Sequence, residues 1–258
     1  MIVFKIPFGS GGLGKSVGCK RAPDKIIEFA KKYSATENSS HFNIEEKGVA
    51  VDDSNISGSL KKIEEQISSL PFVALGGDHT ITYSILKKIA KPDLGVVIFD
   101  AHPDMMQRFS VPTHENYLRH LIEEGILRAD QVTLIGLRSI DPEEKRFLNI
   151  NKINYITMHQ VMQEGLLEIC DIIMENMNRF EQVYVSVDID VVDPAFAPGT
   201  GNPEIGGLSS KELLYILKRL MLMKNYSGGD IVEVNPELDV NEMTLKLAGR
   251  ILVEMCGK

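Results

Sequence analysis

Cysteine is scarce in this 258-residue chain, which contains only Cys19, Cys170 and Cys256. The three are widely spaced and odd in number, so a disulfide framework is not expected and a reducing, intracellular setting fits best. Long apolar runs are also missing, and the short apolar stretch at the amino terminus is interrupted by Lys5 and Pro7. We therefore expect a cytoplasmic protein that has no membrane partner.

Basic residues are outnumbered, because 28 Lys and Arg stand against 36 Asp and Glu and give a formal net charge of -8. Affinity for phosphates comes mainly from clustered Lys and Arg, so we expect no nucleic-acid partner and no anionic membrane surface. The acidic balance suits a small cationic substrate. The sequence also lacks internal repeats, low-complexity tracts and linkers, which predicts one domain over residues 1–258.

Apolar, β-branched runs and segments of helical periodicity alternate along the chain. The runs predict eight strands, at residues 2–8, 49–51, 72–75, 94–99, 132–135, 153–156, 183–187 and 230–234. The periodic segments predict helices near residues 23–32, 59–70, 80–90, 116–124, 142–148, 160–177, 209–222 and 240–255. This alternation predicts an α/β fold with three α-β-α layers, in which helices cover both faces of a mainly parallel eight-stranded sheet. Ligands of such sheets bind beyond the carboxyl ends of the strands.

Acidic side chains follow two of the predicted strands at that edge. Asp100, His102 and Asp104 leave the fourth strand at alternate positions, so their side chains can converge on one point. Asp188 and Asp190 end the seventh strand with the same spacing. Neighbouring carboxylates repel each other unless a cation lies between them. The two strand ends together therefore predict a two-metal hydrolytic centre.

A histidine follows the third predicted strand in the segment Gly-Gly-Asp-His-Thr, residues 76–80. The two glycines allow a sharp turn that places His79 over the same sheet edge. Taken alone, the segment could equally be a turn in which Asp78 or Thr80 caps a helix. The acidic strand ends beside it favour a ligand role for His79.

The segment Gly9–Ser16 matches the phosphate-binding pattern GxxxxGK[ST] and follows an apolar strand, which offers a nucleotide-binding protein as an alternative. That pattern works only when a helix begins at once, so that its amino terminus faces the phosphates. Gly18 and Pro23 instead predict that the helix begins at Pro23. A nucleotide site would also leave His79 and His102 without a role.

Taken together, these motifs resemble the ureohydrolase family, which includes arginase, agmatinase and formimidoylglutamase. The resemblance rests on GGDHT, DAHPD and SVDIDVVDPAFAPGTG, which occur here in the family's order, and it extends over effectively the whole chain. The eight-strand prediction agrees with the arginase-like fold, and we expect the resemblance to be strongest to agmatinase-like members. The sequence retains all six positions at which the family binds metal, so a protein of this fold that has lost its catalytic activity is not favoured.

The resemblance implies two Mn²⁺ ions per subunit. One ion would be held by His79, Asp100, Asp104 and Asp188, and the other by His102, Asp100, Asp188 and Asp190. Asp100 and Asp188 would bridge the two. Carboxylates with a minority of imidazoles and no thiolate suit such an ion independently of the resemblance. The family also usually forms trimers or hexamers, so we expect a homo-oligomer.

The resemblance further implies hydrolysis of a guanidino C–N bond with release of urea, by attack of a hydroxide that bridges the two ions. Glu233 would bind the guanidinium group, and Asp104 would pass a proton to the leaving nitrogen. His114 would assist proton transfer and contact the substrate, although Glu115 stands where the family usually has glycine. Asp141 lies in a segment similar to the arginase loop that contacts the α-amino group.

The substrate is expected to be agmatine, which would give putrescine and urea. Residues 105–112 have the length typical of agmatinases, and their Met and Phe side chains would suit the alkyl chain of a decarboxylated substrate. Arginine and other guanidino acids stay open, because Asp141 matches the arginase loop and Arg108 could receive a carboxylate.

Overall fold

The computed structural model describes residues 1–257, and its eight strands form one sheet in which every pairing is parallel. The strands are β1 (Ile2–Lys5), β2 (Glu45–Gly48), β3 (Phe72–Leu75), β4 (Leu94–Phe99), β5 (Val132–Leu137), β6 (Asn154–Thr157), β7 (Gln182–Asp188) and β8 (Tyr226–Val232). Their order across the sheet is β2-β1-β3-β8-β7-β4-β5-β6. The predicted parallel eight-stranded sheet is confirmed. One domain over residues 1–258 stays a prediction, and Lys258 lies outside the described residues.

Two helical layers cover the sheet. The helices are α1 (Ala22–Ala30), α2 (Ile56–Gln66), α3 (Ile81–Ile89), α4 (Tyr117–Glu123), α5 (Pro142–Asn151), α6 (Met158–Glu164), α7 (Leu166–Met177), α8 (Ser210–Met221) and α9 (Met243–Cys256). Helix α1 and helices α6 to α9 share one apolar cluster, and α2 to α5 share the other. None of the helices within residues 1–257 is both long enough and apolar enough for a membrane span.

The central strands are buried on both faces, which explains their unbroken apolar sequences. In β4, Val97 and Phe99 pack in one apolar cluster, whereas Val96 and Ile98 pack in the other. This alternation follows from the two-residue side-chain period of a strand. Burial of both faces therefore produces the three-layer arrangement that the sequence predicts.

The bounds of several predicted elements differ from the structure by a few residues, and two predictions are wrong in place or in number of elements. The second strand lies at Glu45–Gly48 rather than at residues 49–51, because an exposed edge strand needs backbone pairing with β1 but no apolar side chains. The helix predicted over residues 160–177 is two helices, α6 and α7, which are separated by Gly165 with a φ of +86°. An apolar periodicity that continues across a glycine does not show such a break.

The strand order brings four carboxyl ends together at the centre of the sheet. Strands β3, β8, β7 and β4 are consecutive neighbours, and each is followed by a polar segment that sequence reasoning had singled out. The polar segment after β3 begins with the turn Gly76–Gly77. This edge is where an open parallel sheet binds its ligands.

Gly77 holds the turn after β3 against the segment that follows β1. A Cβ at Gly77 would lie 1.8 Å from the carbonyl oxygen of Phe8, which accepts the backbone N–H of Asp78 at 2.8 Å. We expect Gly77→Ala to lower the free energy of unfolding by about 3 kcal/mol, because backbone atoms must move apart. Urea denaturation measures the change. Gly48→Ala is the matched control, since nothing lies within 4 Å of its Cβ position, and equal stability of the two variants would contradict this packing.

Candidate metal centre

All six predicted ligands lie at the central carboxyl edge, on segments that leave β3, β7 and β4, with β8 between β3 and β7. His79 follows β3 in the turn that leads to α3, and Asp100, His102 and Asp104 follow β4. Asp188 is the last residue of β7, and Asp190 lies in the short 3-10 helix Ile189–Val191.

The first cluster surrounds Nδ1 of His79. This atom lies 3.1 Å from Oδ2 of Asp100, 3.1 Å from Oδ2 of Asp104 and 3.3 Å from Oδ2 of Asp188. His79 is completely buried, yet its Nδ1 and the facing Oδ2 of Asp100 make no well-formed hydrogen bond. Buried polar atoms are nearly always paired in folded proteins. A convergent set of such atoms fits a shared cation.

The second cluster surrounds Nδ1 of His102, which lies 3.0 Å from Oδ2 of Asp190 and 3.5 Å from Oδ1 of Asp100. Asp100 thus presents one carboxylate oxygen to each cluster. Within both the His79–Asp100–Asp188 group and the Asp100–His102–Asp190 group, ligand atoms lie within 4.8 Å of one another. Asp188 directs Oδ2 to the first cluster, while its Oδ1 accepts the backbone N–H of Asp190 at 2.8 Å. Asp100 therefore lies between the two clusters, whereas Asp188 contacts the first cluster and the backbone of Asp190.

Burial and mutual repulsion oppose ionisation of these carboxyl groups. Burial, together with the neighbouring Asp100, raises the pKa of Asp104 to about 8 and also raises the pKa of Asp190. Burial likewise raises the pKa of Asp188, with Asp190 adding to the effect. Burial opposes ionisation of Asp100 too, but the two imidazoles beside its carboxylate outweigh burial and lower its pKa. Divalent cations would relieve this repulsion, so the donor set fits them.

A buried hydrogen-bond chain fixes the orientation of His79. Its Nε2 lies 3.0 Å from both the Ser186 hydroxyl and the Tyr117 hydroxyl, and Ser186 donates to Asp230 at 2.5 Å. Further donors to Asp230 are Thr82 and Tyr184. Such contacts leave Nδ1 directed at the carboxylates. Sequence reasoning missed this chain, although a serine and an aspartate inside apolar strand runs were a visible signal.

Glu233 faces this cluster from the end of β8. Its φ is +60°, a backbone conformation that non-glycine residues seldom adopt and that is concentrated at functional sites. The carboxylate accepts hydrogen bonds from the Ser16 hydroxyl at 2.5 Å and the His79 backbone N–H at 2.9 Å. Nδ1 of His114 lies 3.1 Å from it. Burial alone would lower the pKa of His114, but this bond outweighs burial and raises it to about 9.

A cavity of about 440 Å³ opens over the cluster. Its lining includes His102, Asp104, His114, Glu115, Asp141, Glu144, Asp188, Asp190, Glu204 and Glu233. Asp141 reaches the cavity from an exposed position, but its carboxylate also caps α5 by accepting the backbone N–H of Glu143. Glu144, which sequence reasoning missed, is buried and accepts the backbone N–H of Met105 at 2.9 Å.

The segment 105–112 is placed differently from its predicted role. Met105 is buried in an apolar cluster, and Phe109 is 57% exposed. Within these eight residues, all of them described, Met106 is the one that lines the cavity. Arg108, which the sequence allowed as a carboxylate receptor, instead pairs with Glu123 and Glu124. Residue type alone could not reveal these directions.

The segment Gly9–Ser16 reaches the cavity through Lys15. It is followed by the 3-10 helix Val17–Arg21 and then by α1, so no α-helix begins at Lys15, as the sequence predicted. The Gly11 backbone N–H binds Asp78 at 2.7 Å, and the Ser16 hydroxyl binds Glu233. The loop is therefore committed to carboxylates, which disfavours the phosphate-binding alternative.

Known proteins share both the sequence and the fold. A family model described as the Arginase family matches residues 1–257. The human protein named guanidino acid hydrolase, mitochondrial, is 33% identical over 214 residues, which span 78% of this chain and 60% of that protein. Proclavaminate amidinohydrolase from Streptomyces clavuligerus is 33% identical over 252 residues, which span 95% of this chain and 77% of that protein. Its solved structure matches with a TM-score of 0.90 and 28% identity over 99% of this chain and 90% of that chain. The predicted resemblance to ureohydrolases is confirmed, and the chain belongs to the arginase family of hydrolases.

Proposed function

We propose that this protein is a binuclear manganese hydrolase that cleaves a guanidino C–N bond and releases urea. The observation that carries the proposal is the convergence of two imidazoles and four carboxylates at the floor of one cavity, which the buried carboxylate of Glu233 also lines. An apolar or purely structural role would not concentrate so many mutually repelling groups.

The residues that would hold the metals divide between the two clusters. His79, Asp104 and Asp188 would serve one ion, His102 and Asp190 the other, and Asp100 both. Oxygen ligands with one imidazole per site and no thiolate favour a hard to borderline cation such as Mn²⁺. When bound, two such ions supply a water of lowered pKa and an electrostatic clamp for the reacting carbon.

Glu233 would orient the substrate, because a planar guanidinium and a carboxylate form paired, charge-assisted hydrogen bonds. In the structure His114 contacts Glu233. When a substrate is bound, His114 would instead hydrogen-bond the substrate or its leaving nitrogen. Asp104 would pass a proton to the departing amine. Asp141 would contact the substrate from the exposed side of the cavity.

The substrate that the sequence favours is agmatine, and in the structure that choice rests on Met106 and the acidic lining of the cavity. The names of the relatives point elsewhere, since one is named guanidino acid hydrolase and another is named proclavaminate amidinohydrolase. Arginine and shorter guanidino acids therefore belong in the same comparison.

Urea release tests the proposed reaction. We expect protein loaded with Mn²⁺ to bind two ions per chain and to release urea from at least one of agmatine, arginine and 4-guanidinobutyrate. A colorimetric urea assay and elemental analysis measure the two quantities, and a chelator should abolish the activity. Two bound ions without urea from any of these compounds would contradict the proposal. ATP binding that is lost in Lys15→Ala, with metal content unchanged, would favour a nucleotide-binding protein instead.

We also propose that three or six copies assemble and that the protein is cytoplasmic. The resemblance to the family supports the assembly, and the three buried, unpaired cysteines are compatible with a reducing compartment. Light scattering of the purified protein and fractionation of cells test the two statements.

A further inference from the structure

Lys15 introduces a positive charge at the mouth of an acidic cavity. Among residues 1–257 it is the one lysine or arginine that lines this cavity. Its Nζ lies 3.0 Å from Oε1 of Glu115, and the two side chains are 50% and 33% exposed.

The loop around Lys15 is anchored on both sides. Gly11 donates its N–H to Asp78 at 2.7 Å and accepts the N–H of His114 at 3.2 Å. Ser16, immediately after Lys15, is completely buried and donates to Glu233. The backbone of Lys15 is therefore fixed at the rim while its long side chain stays free to exchange partners.

The exposure of the lining residues differs between the two ends of the cavity. Glu233, the proposed guanidinium receptor, is 4% exposed, whereas Lys15 is half exposed. Glu115 lies between the two ends, because its Oε1 is also 3.8 Å from Nε2 of His114. A linear substrate that places its guanidinium at Glu233 must extend its other end toward the exposed side, where Lys15 lies.

Other cations near the site are already engaged. Arg108 pairs with Glu123 and Glu124. Arg138 directs its guanidinium to backbone carbonyls, including those of Asp190 and Glu204. Lys15, by contrast, is held by a single, partly exposed carboxylate, a contact that contributes little when solvent can replace it.

We propose that Lys15 is a specificity-determining residue that binds a carboxylate at the far end of the substrate. This carboxylate would replace Glu115 as the partner of Lys15. The inference rests on the proposed guanidino hydrolysis and narrows its substrate class to linear guanidino carboxylic acids, with or without an α-amino group. A substrate that ends in an ammonium group, such as agmatine, would bring like charge to Lys15. The lysine of the Gly9–Ser16 segment thus has a carboxylate rather than a phosphate as its ligand.

The test compares 4-guanidinobutyrate with agmatine, because the two have similar length and differ in the charge of the far end. We expect wild type to prefer 4-guanidinobutyrate in kcat/KM. In Lys15→Met the ratio of the two kcat/KM values should fall by about tenfold or more, mainly through KM, since a charge-assisted hydrogen bond is lost. Lys15→Arg should keep the preference.

A charge-matched control separates recognition from a general electrostatic effect. Lys15→Met together with Glu115→Gln leaves the net charge of the pair at zero, and it should lose the preference as Lys15→Met does. Equal loss for both substrates in Lys15→Met, or an unchanged ratio, would overturn the inference. A wild-type preference for agmatine would overturn it as well.

Calorimetry measures the affinity for the same two compounds and does not depend on turnover. If wild type binds 4-guanidinobutyrate but releases urea from none of 4-guanidinobutyrate, agmatine and arginine, the proposed reaction fails, while a binding preference that is lost in Lys15→Met still supports the role of Lys15. If wild type binds neither compound, or binds both equally well with and without Lys15, the inference is wrong.

Discussion

Substitution of Asp188 by alanine is expected to remove stoichiometric metal binding and to reduce urea release to below about a thousandth of the wild-type rate. The carboxylate of Asp188 is buried beside the two clusters, where Oδ2 faces His79 and Oδ1 accepts the backbone N–H of Asp190. Its loss removes a ligand and loosens the strand end that carries another. Elemental analysis after dialysis and the urea assay measure the two effects.

Asp188→Asn is the companion variant, because an amide oxygen can still accept the N–H of Asp190 while the negative charge is gone. It should fold like wild type by circular dichroism and still lose metal. Asp171→Ala is the surface control, since that side chain is 65% exposed and pairs with Arg219 far from the cavity. Urea release at the wild-type rate by either Asp188 variant would rule out the proposed mechanism.

The fold was predictable because its determinants are local and repeated. Strands β4 and β7 are buried on both faces, so their apolar runs are unambiguous, and parallel strands with intervening helices allow few topologies. Strand β2 was misplaced because Glu45–Gly48 is an exposed edge whose pairing depends on the backbone of β1. No side-chain pattern encodes that pairing.

The centre of the candidate site was predictable for a related reason. Asp100 and Asp188 end adjacent strands, so parallel topology alone brings them together once the strand order is known. The wall of the cavity was not predictable in this way. Ser16 is 217 residues from its partner Glu233, and Lys15 is 100 residues from Glu115. Such contacts depend on loop paths that residue types do not determine.

Loop paths also determine where residues point whose role was predicted from their chemical type. Methionine and phenylalanine suit an alkyl chain, but the direction of each side chain depends on a loop of irregular structure. Met105 turns into the core and Phe109 turns to solvent. The six residues predicted as metal ligands do lie together in the structure, whereas the directions of the side chains in residues 105–112 could not be predicted from their chemical type.

Glu233→Gln is expected to lower kcat/KM by about a hundredfold or more while both metal ions stay bound. The side chain accepts from Ser16, from the His79 backbone and from His114, so its carboxylate is already matched to donors. A guanidinium adds further donors. The amide of glutamine would direct N–H groups at some of these donors, and it carries no negative charge to attract the guanidinium.

Metal content distinguishes this variant from the Asp188 variants, because Glu233 is proposed to bind the substrate rather than the metals. Glu237→Gln is the matched control, since Glu237 is exposed and pairs with Arg21. A second readout follows from His114, whose pKa is raised to about 9 by the bond to Glu233 against the opposing effect of burial. In metal-free Glu233→Gln protein, NMR titration should find that pKa lower, because the neutral amide no longer favours the imidazolium. An unchanged kcat/KM with full metal content would remove Glu233 from the proposed mechanism and leave the guanidinium without its buried partner.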